Sequence, residues 1–272
     1  MIAEAIRVSP AWLDLRAPAD AAARSRELLS HLRPRLPAGR LVVHDLGCGS
    51  GGMGRWLAPL LPGPQRWILH DRDPDLLTLA QADPPGPAAD GAAVTVETRR
   101  SDVTRLDRDE LAGAGLITAS ALLDLLTADE LHRLTRACSG AGCPVLLPLS
   151  VTGRIRLEPP DPLDARVAAA FNAHQRRATP RGRLLGPDAV AAAADGFRRL
   201  GARVIVRPSP WSLGGADASL AAEWLDGWVG AACEQDPALR ADARPYRHRR
   251  LSAADAGRLT VTVAHADLLV LP

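Results

Sequence analysis

The stretch His44-Asp-Leu-Gly-Cys-Gly-Ser-Gly-Gly52 constrains the fold of this chain more than any other. It follows a short apolar run, Arg40 to Leu46, and leads into a segment with helical character, Gly54 to Leu61. Glycines 47, 49 and 51 let the backbone turn sharply after a strand and approach a ligand closely, and the following helix offers free N–H groups to a carboxylate or phosphate. The natural occupant is a nucleotide-type cofactor. Gly47, Gly49 and Gly52 also satisfy G-x-G-x-x-G, so the loop by itself does not separate a methionine-bearing cofactor from a dinucleotide.

The remainder of the chain places this unit in an α/β domain. Arg66 to Asp71, Ala93 to Thr98, Gly115 to Ser120 and Val145 to Ser150 are further short apolar runs, with helical stretches such as Asp75 to Ala82 and Ala128 to Cys138 between them. That alternation predicts a parallel sheet. A helix from about Ala19 to Leu32 precedes it, stopped by Pro34 and Pro37. After the fifth run the rhythm changes: Val151 to Arg183 carries an acidic, Pro-rich segment, a short helix from about Ala165 to Gln175 and an arginine cluster, and reads as an insertion. A helix from Pro187 to Leu200, capped by Gly201, and a strand from Ala202 to Arg207 restore the pattern. The amphipathic stretch Ala218 to Cys233 and an alternating strand, Arg258 to His265, follow. The 272 residues suit one domain. Its parts are an N-terminal helical segment (1–39), a cofactor-binding half (40–150), an insertion or lid (151–186) and a C-terminal half completing the sheet (187–272).

Composition removes several function classes. A net charge of +2 lacks the basic bias of a protein that binds by neutralising phosphates, so a nucleic-acid partner is not expected. All 33 basic residues are arginines, which removes a P-loop lysine and a Schiff-base lysine. Cys48, Cys138, Cys143 and Cys233 show no C-x-x-C spacing and read as reduced thiols. No apolar run is long enough for a membrane span, and Met1 to Ser9 lacks a signal-peptide core, which predicts no membrane partner and a cytoplasmic location.

Three acids sharpen the reading of the loop. Asp45 ends the first strand, where a carboxylate repels a pyrophosphate but accepts hydrogen bonds from an ammonium or its water. Asp71 ends the second strand, at the distance from the glycines where an acid receives both hydroxyls of a ribose. Asp102 follows the third, where a carboxylate accepts the exocyclic amine of an adenine.

Asp45-Leu-Gly-Cys-Gly-Ser-Gly51, Asp71-Arg-Asp-Pro-Asp-Leu-Leu77, Ser101-Asp102 and Thr118-Ala-Ser-Ala-Leu-Leu-Asp124 resemble, in order and spacing from Leu41 to Leu149, the cofactor motifs of class I S-adenosylmethionine-dependent methyltransferases. The resemblance implies a Rossmann-like, seven-stranded, mostly parallel sheet flanked by helices, with S-adenosyl-L-methionine as cofactor. It implies a glycine loop (Asp45, Gly47, Cys48, Gly49, Gly51) on the methionine end, Asp71 and Arg72 at the ribose, Asp102 and Val103 beside the adenine, and Ser120 beside the methionine portion. Gly115 stands where the family often has an acid at the start of the fourth strand. Phe171-Asn-Ala-His-Gln175, Leu185-Gly-Pro-Asp188, Ser209-Pro-Trp211 and Gly227-Trp228 further resemble a bacterial subgroup of that superfamily. This implies a helical lid after strand five, over the reactive methyl, with Asn172, Gln175 and Arg176 toward a small-molecule substrate.

Other residues carry two readings each. Asp124 suits a general base or a cap of the helix after it, and His174 a base or a hydrogen-bonded structural group. Arg176, Arg177, Arg181 and Arg183 suit an anionic substrate or a solvated face. Trp224 and Trp228 suit a core or a cation cage; Asp161 and Asp164 suggest a metal but lack a third ligand, so none is expected. The acceptor, oxygen, nitrogen or carboxylate, is left open, as is oligomeric state. Other functions are an RNA or protein methyltransferase, an NAD-dependent oxidoreductase and a non-catalytic cofactor-binding scaffold. The oxidoreductase gives no role to Asp45 or Asp102 and has only Tyr246 as a tyrosine donor.

Overall fold

The structure, a computed structural model, describes residues 8–272; most of the Met1–Ser9 stretch lies outside them. Strands β1 (Leu41–Leu46), β2 (Gln65–Asp71), β3 (Val94–Arg100), β4 (Leu116–Thr118), β5 (Val145–Glu158), β8 (Arg203–Pro208) and β10 (Thr260–Leu271) form a sheet in the order β3-β2-β1-β4-β5-β10-β8. β1 to β5 run parallel, and β10 is antiparallel to both β5 and β8. The sheet has eight strands rather than seven. β10 is twelve residues long and outruns β8, and its first half pairs instead with β9 (Trp211–Leu213). β6 (Ala178–Thr179) and β7 (Gly182–Arg183) make a separate hairpin.

Alternating strand residues divide between two faces. Leu41 and Val43 join Leu269 and Leu271 under α2 (Glu27–Leu32), α3 (Gly52–Leu57) and α4 (Pro74–Ala82). Leu46, Leu268 and Val270 face α5 (Ala128–Gly140) and α7 (Ala189–Arg199), which bring Leu131, Leu134, Ala193 and Phe197. Thr127 starts α5 with a capping box, its side chain accepting from Glu130 N–H while Glu130 accepts from Thr127 N–H. A third cluster lies where β5, β9 and β10 extend past the parallel strands. There α8 (Ala218–Gln235) packs on α6 (Asp164–Gln175) and on α9 (Arg240–Asp255), around Trp228, Tyr246, Val261 and Leu213. Trp224 and Trp228 stack at 5.0 Å inside this cluster and belong to its core.

Several sequence boundaries are corrected. The region read as an insertion from Val151 begins after β5, at Pro159, because β10 supplies a partner for the strand out to Glu158. α9 was not anticipated: its residues are so charged that only the buried Tyr246, Arg250, Ala253 and Ala254 give it an inward face. The helix expected from Ala19 to Leu32 is two helices, α1 (Pro10–Ala23) and α2, broken at Arg24-Ser25-Arg26. The break is held by Asp267, buried on β10, which accepts from Ser25 N–H at 2.7 Å and from Leu149 N–H at 2.8 Å. Leu149 sits in the left-handed region at φ 60, a conformation that needs such an anchor. Replacing the carboxylate would orphan one buried donor, Leu149 N–H, and one partly buried, Ser25 N–H, so Asp267→Ala is expected to lower unfolding free energy by about 2–4 kcal/mol. Urea denaturation measures it, and a loss below about 1 kcal/mol would show that neither donor depends on Asp267.

Candidate functional site

The strand order reverses between β1 and β4, and a cavity of about 900 Å³ opens there, at the carboxyl ends of β1, β2 and β3 and the turn after β4. Asp45, Gly47, Cys48, Gly49, Asp71, Arg72, Asp102, Val103 and Ser120 all line it. Gly51, the remaining residue of the expected cofactor set, shapes the loop from behind: at φ 87 it starts α3, and a Cβ there would meet Ala80. Gly49, at φ 55, lets the loop pass under α1, where a Cβ would stand 3.2 Å from Leu13 Cδ1.

The two ends of the cavity differ in chemistry. At one, Asp71 accepts Gly49 N–H at 2.9 Å and Asp73 N–H at 3.0 Å, which fixes its carboxylate beside the loop. Asp102, exposed in the next turn, accepts from Thr104 N–H and Thr104 Oγ1 through one oxygen, and its other oxygen faces Arg105 at 3.6 Å. At the other end Asp45 is wholly buried; Thr118 Oγ1 donates to one of its oxygens at 2.7 Å, and the second oxygen has no partner. Burial pushes the Asp45 carboxyl up to about 6, against the Thr118 hydrogen bond and the Arg24 charge, which pull it down. Arg24 is also buried. Its Nη2 donates to Ser120 Oγ at 3.2 Å, its guanidinium lies over Trp56 at 5.3 Å, and its Nε has no partner. Burial lowers the Arg24 pKa, while Asp20, Asp267 and Asp45 act to raise it.

The roof is the N-terminal helix, not the insertion. Leu13, Arg16, Ala17, Asp20, Ala21 and Arg24 line the cavity. Asp20, buried, accepts from both Arg16 (2.9 and 3.1 Å) and Trp211 Nε1 (2.9 Å), which moors α1 to β9. Of the insertion, only Arg181 reaches the cavity, paired with Glu130 at 2.7 Å. The helix expected to cover the site, α6, packs on α8 because Val167 and Ala170 are its buried residues. Consequently Asn172, His174, Gln175 and Arg176 stand away from the cavity. Asn172 Nδ2 donates to Gly153 O, His174 Nε2 meets Glu234 at 3.0 Å, Gln175 packs beside Gly186, and Arg176 pairs with Asp188. Asp124 lies half-buried in the turn after β4 without lining the cavity, and burial holds its carboxyl up to about 6 against its own backbone N–H and Arg16. Asp161 pairs with Arg249, and Asp164 accepts from Tyr246 and Arg250.

Arg24, Arg16 and Asp20 escaped the sequence reading. One arginine among 33 gives no signal, and their importance comes from the break between α1 and α2, which turns Arg24 inward.

No protein-family model matches this chain, and no curated protein does. Solved structures do. A structure of S-adenosylmethionine-dependent methyltransferases from Methanosarcina mazei is 10% identical, over 90% of this chain and 96% of that one, with a TM-score of 0.50. Another, from Thiobacillus denitrificans in complex with S-adenosyl-L-homocysteine, is 16% identical over 98% and 99%, with a TM-score of 0.46. A third, from Geobacter sulfurreducens with the same ligand, is 17% identical over 97% and 92%, at 0.40. The fold is the one found in S-adenosylmethionine-dependent methyltransferases.

The Asp45–Arg24 juxtaposition has a pH signature. Without Arg24, the folded-state pKa of Asp45 rises further above its unfolded value. The cost of holding Asp45 charged then grows at high pH and disappears as pH falls through the folded pKa and the group takes a proton. Arg24→Leu is therefore expected to destabilise the protein by several kcal/mol at pH 8 and by clearly less at pH 5. Urea denaturation at both pH values compares them; equal losses would mean that Arg24 does not balance a buried charge.

Proposed function

We propose that this chain is an S-adenosylmethionine-dependent methyltransferase acting on a small molecule. The observation that carries the reading is the unpartnered oxygen of buried Asp45 beside buried Arg24, with Asp71 and Asp102 further along the same cavity. A carboxylate and a guanidinium, each with spare hydrogen-bonding capacity, suit the ammonium and carboxylate of an amino acid. Asp71 retains lone pairs for the ribose hydroxyls, and Asp102 with Val103 borders the adenine. Arg72 flanks the ribose and Ser120 the methionine portion, while Gly47, Cys48, Gly49 and Gly51 bring the backbone close. When bound, the cofactor supplies a methyl group on a positively charged sulfur.

The chain's own task is then largely positioning. Holding a nucleophile and the methyl in line can supply roughly 7–11 kcal/mol. Leu13, Leu122, Leu125 and Leu126 give the cavity an apolar wall suited to a compact acceptor, with Arg181 at its margin. An oxygen or nitrogen acceptor that must lose a proton would need a base within hydrogen-bond reach, and Asp124, for all its raised pKa, does not line the cavity; a carboxylate acceptor needs none. Asn172, His174, Gln175 and Arg176 have no part in this reading, since all four are engaged away from the cavity. Against a nicotinamide enzyme stand Asp45, which would repel a pyrophosphate, and Tyr246, which is hydrogen-bonded to Asp164 in the far cluster.

Calorimetric titration with S-adenosylmethionine, S-adenosylhomocysteine and NAD(H) tests the reading. Saturable binding of the two adenosyl amino acids is expected, and binding of NAD(H) alone would overturn it. Asp71→Ala should weaken S-adenosylhomocysteine binding by roughly 1.5–3 kcal/mol, the worth of a hydrogen bond to a charged group. Unchanged affinity would remove the ribose role.

A further inference from the structure

Two buried histidines outside the set already described form a chain of hydrogen bonds that ends at the cavity. His44 on β1 and His70 on β2 stack with ring centroids 5.2 Å apart, and His44 Nδ1 meets His70 Nε2 at 3.0 Å. His70 Nδ1 meets Ser101 Oγ, also at 3.0 Å, and Ser101 lines the cavity next to Asp102. Both rings are almost fully buried, at 2% and 1% exposure. Burial first, then for His70 its neighbour His44, and for both the nearby Arg99, lower their pKa values to about 4. Arg66 acts on His44 in the same direction and Glu97 opposes in both, so the pair is neutral near pH 7.

Neutral imidazoles in contact must take matching tautomers. Either His44 Nδ1–H donates to His70 and His70 Nδ1–H donates to Ser101, or Ser101 O–H donates to His70 and His70 Nε2–H donates to His44. In both, His70 consumes one hydrogen-bonding position of the Ser101 hydroxyl and fixes its direction, leaving the rest for a ligand. His70 is tied to both ligand loops, since its carbonyl accepts Cys48 N–H at 3.0 Å, and the next residue's carbonyl, that of Asp71, accepts Ser101 N–H at 2.9 Å.

We propose that Ser101 is a base-reading residue of this cavity, contacting the edge of a 6-aminopurine beside Asp102, and that His70, backed by His44, is its positioning residue. The proposal rests on the cofactor reading above and adds how the site would tell a 6-aminopurine from a 6-oxopurine: with its proton held by His70, as in the second pair of tautomers, the Ser101 hydroxyl presents only lone pairs, and with Asp102 it would accept from a 6-amino group where a 6-oxo group offers no proton.

The test compares S-adenosylhomocysteine with its 6-oxo analogue, S-inosylhomocysteine, by calorimetry on the full chain. The parent should prefer the adenosyl compound. Ser101→Ala and His70→Phe should each reduce that preference by about three- to tenfold, the range of one hydrogen bond. The double variant should lose no more than either single one, since both remove one contact. His70→Asn, which keeps a polar atom at the δ position facing Ser101, should restore part of the preference, and it serves where the Phe variant folds poorly. A histidine that only supports packing would weaken both ligands equally. An unchanged preference in Ser101→Ala, or in both His70 variants, overturns the inference while leaving the cofactor reading intact. Failure of the parent to bind either nucleoside removes both.

Discussion

Three carboxylates, Asp20, Asp45 and Asp267, are buried around Arg24 at the carboxyl edge of the sheet, and the position of the N-terminal helix depends on them. Charges out of water persist only where partners compensate them. Here most of the partners come from far apart in the chain: Thr118 for Asp45, Trp211 for Asp20 beside Arg16 one turn away, the Ser25 and Leu149 amides for Asp267. Trp211 joins α1 to β9, and Ser25 joins the break after α1 to β10, while Thr118 and Leu149 tie strand ends to one another. The cavity roof thus follows from where charge can be neutralised, and apolar packing fills in around it.

That origin explains which parts of the fold were legible. The parallel half was, because its strands are short apolar runs and its helices show their period: β2 reads as Arg66 to Asp71 and occupies Gln65–Asp71, and α5 reads as Ala128 to Cys138 and occupies Ala128–Gly140. The C-terminal half was less so. β5 and β10 run on for 14 and 12 residues, and their outer parts, carrying Arg154, Arg156 and Thr262, stay ordered because each is the other's partner. Pairing over more than 100 residues of separation leaves no local trace. α9 hides for a different reason: its inward face includes Arg250, buried because Asp164 and the Pro159 carbonyl receive it, and a buried arginine reads as a surface residue.

The candidate site divides in the same way. Asp45, Asp71, Asp102 and the glycines announce themselves because they lie at strand ends that local pattern locates, and all but Gly51 of the expected cofactor residues line one cavity. The roof does not. Placing α6 over the cavity took sequence adjacency to β5 for spatial adjacency, whereas Val167 and Ala170 draw that helix to α8 and take His174 with them. Asp124 sits between these cases: the turn that holds it was read correctly, but its half-buried setting arises from tertiary packing.

A Cβ at Gly49, in the loop, would stand 3.2 Å from Leu13 Cδ1 on the roof above it, tighter than an ordinary contact. A glycine at 49 is thus favoured twice, by its backbone angle and by the side chain above, which a Cβ would push aside. The tolerance of the loop to mutation is set by a residue 36 positions earlier in the chain, on a different element. Transplanting the glycine loop into another protein without its roof helix would carry over the backbone turn and leave behind half of the reason for it.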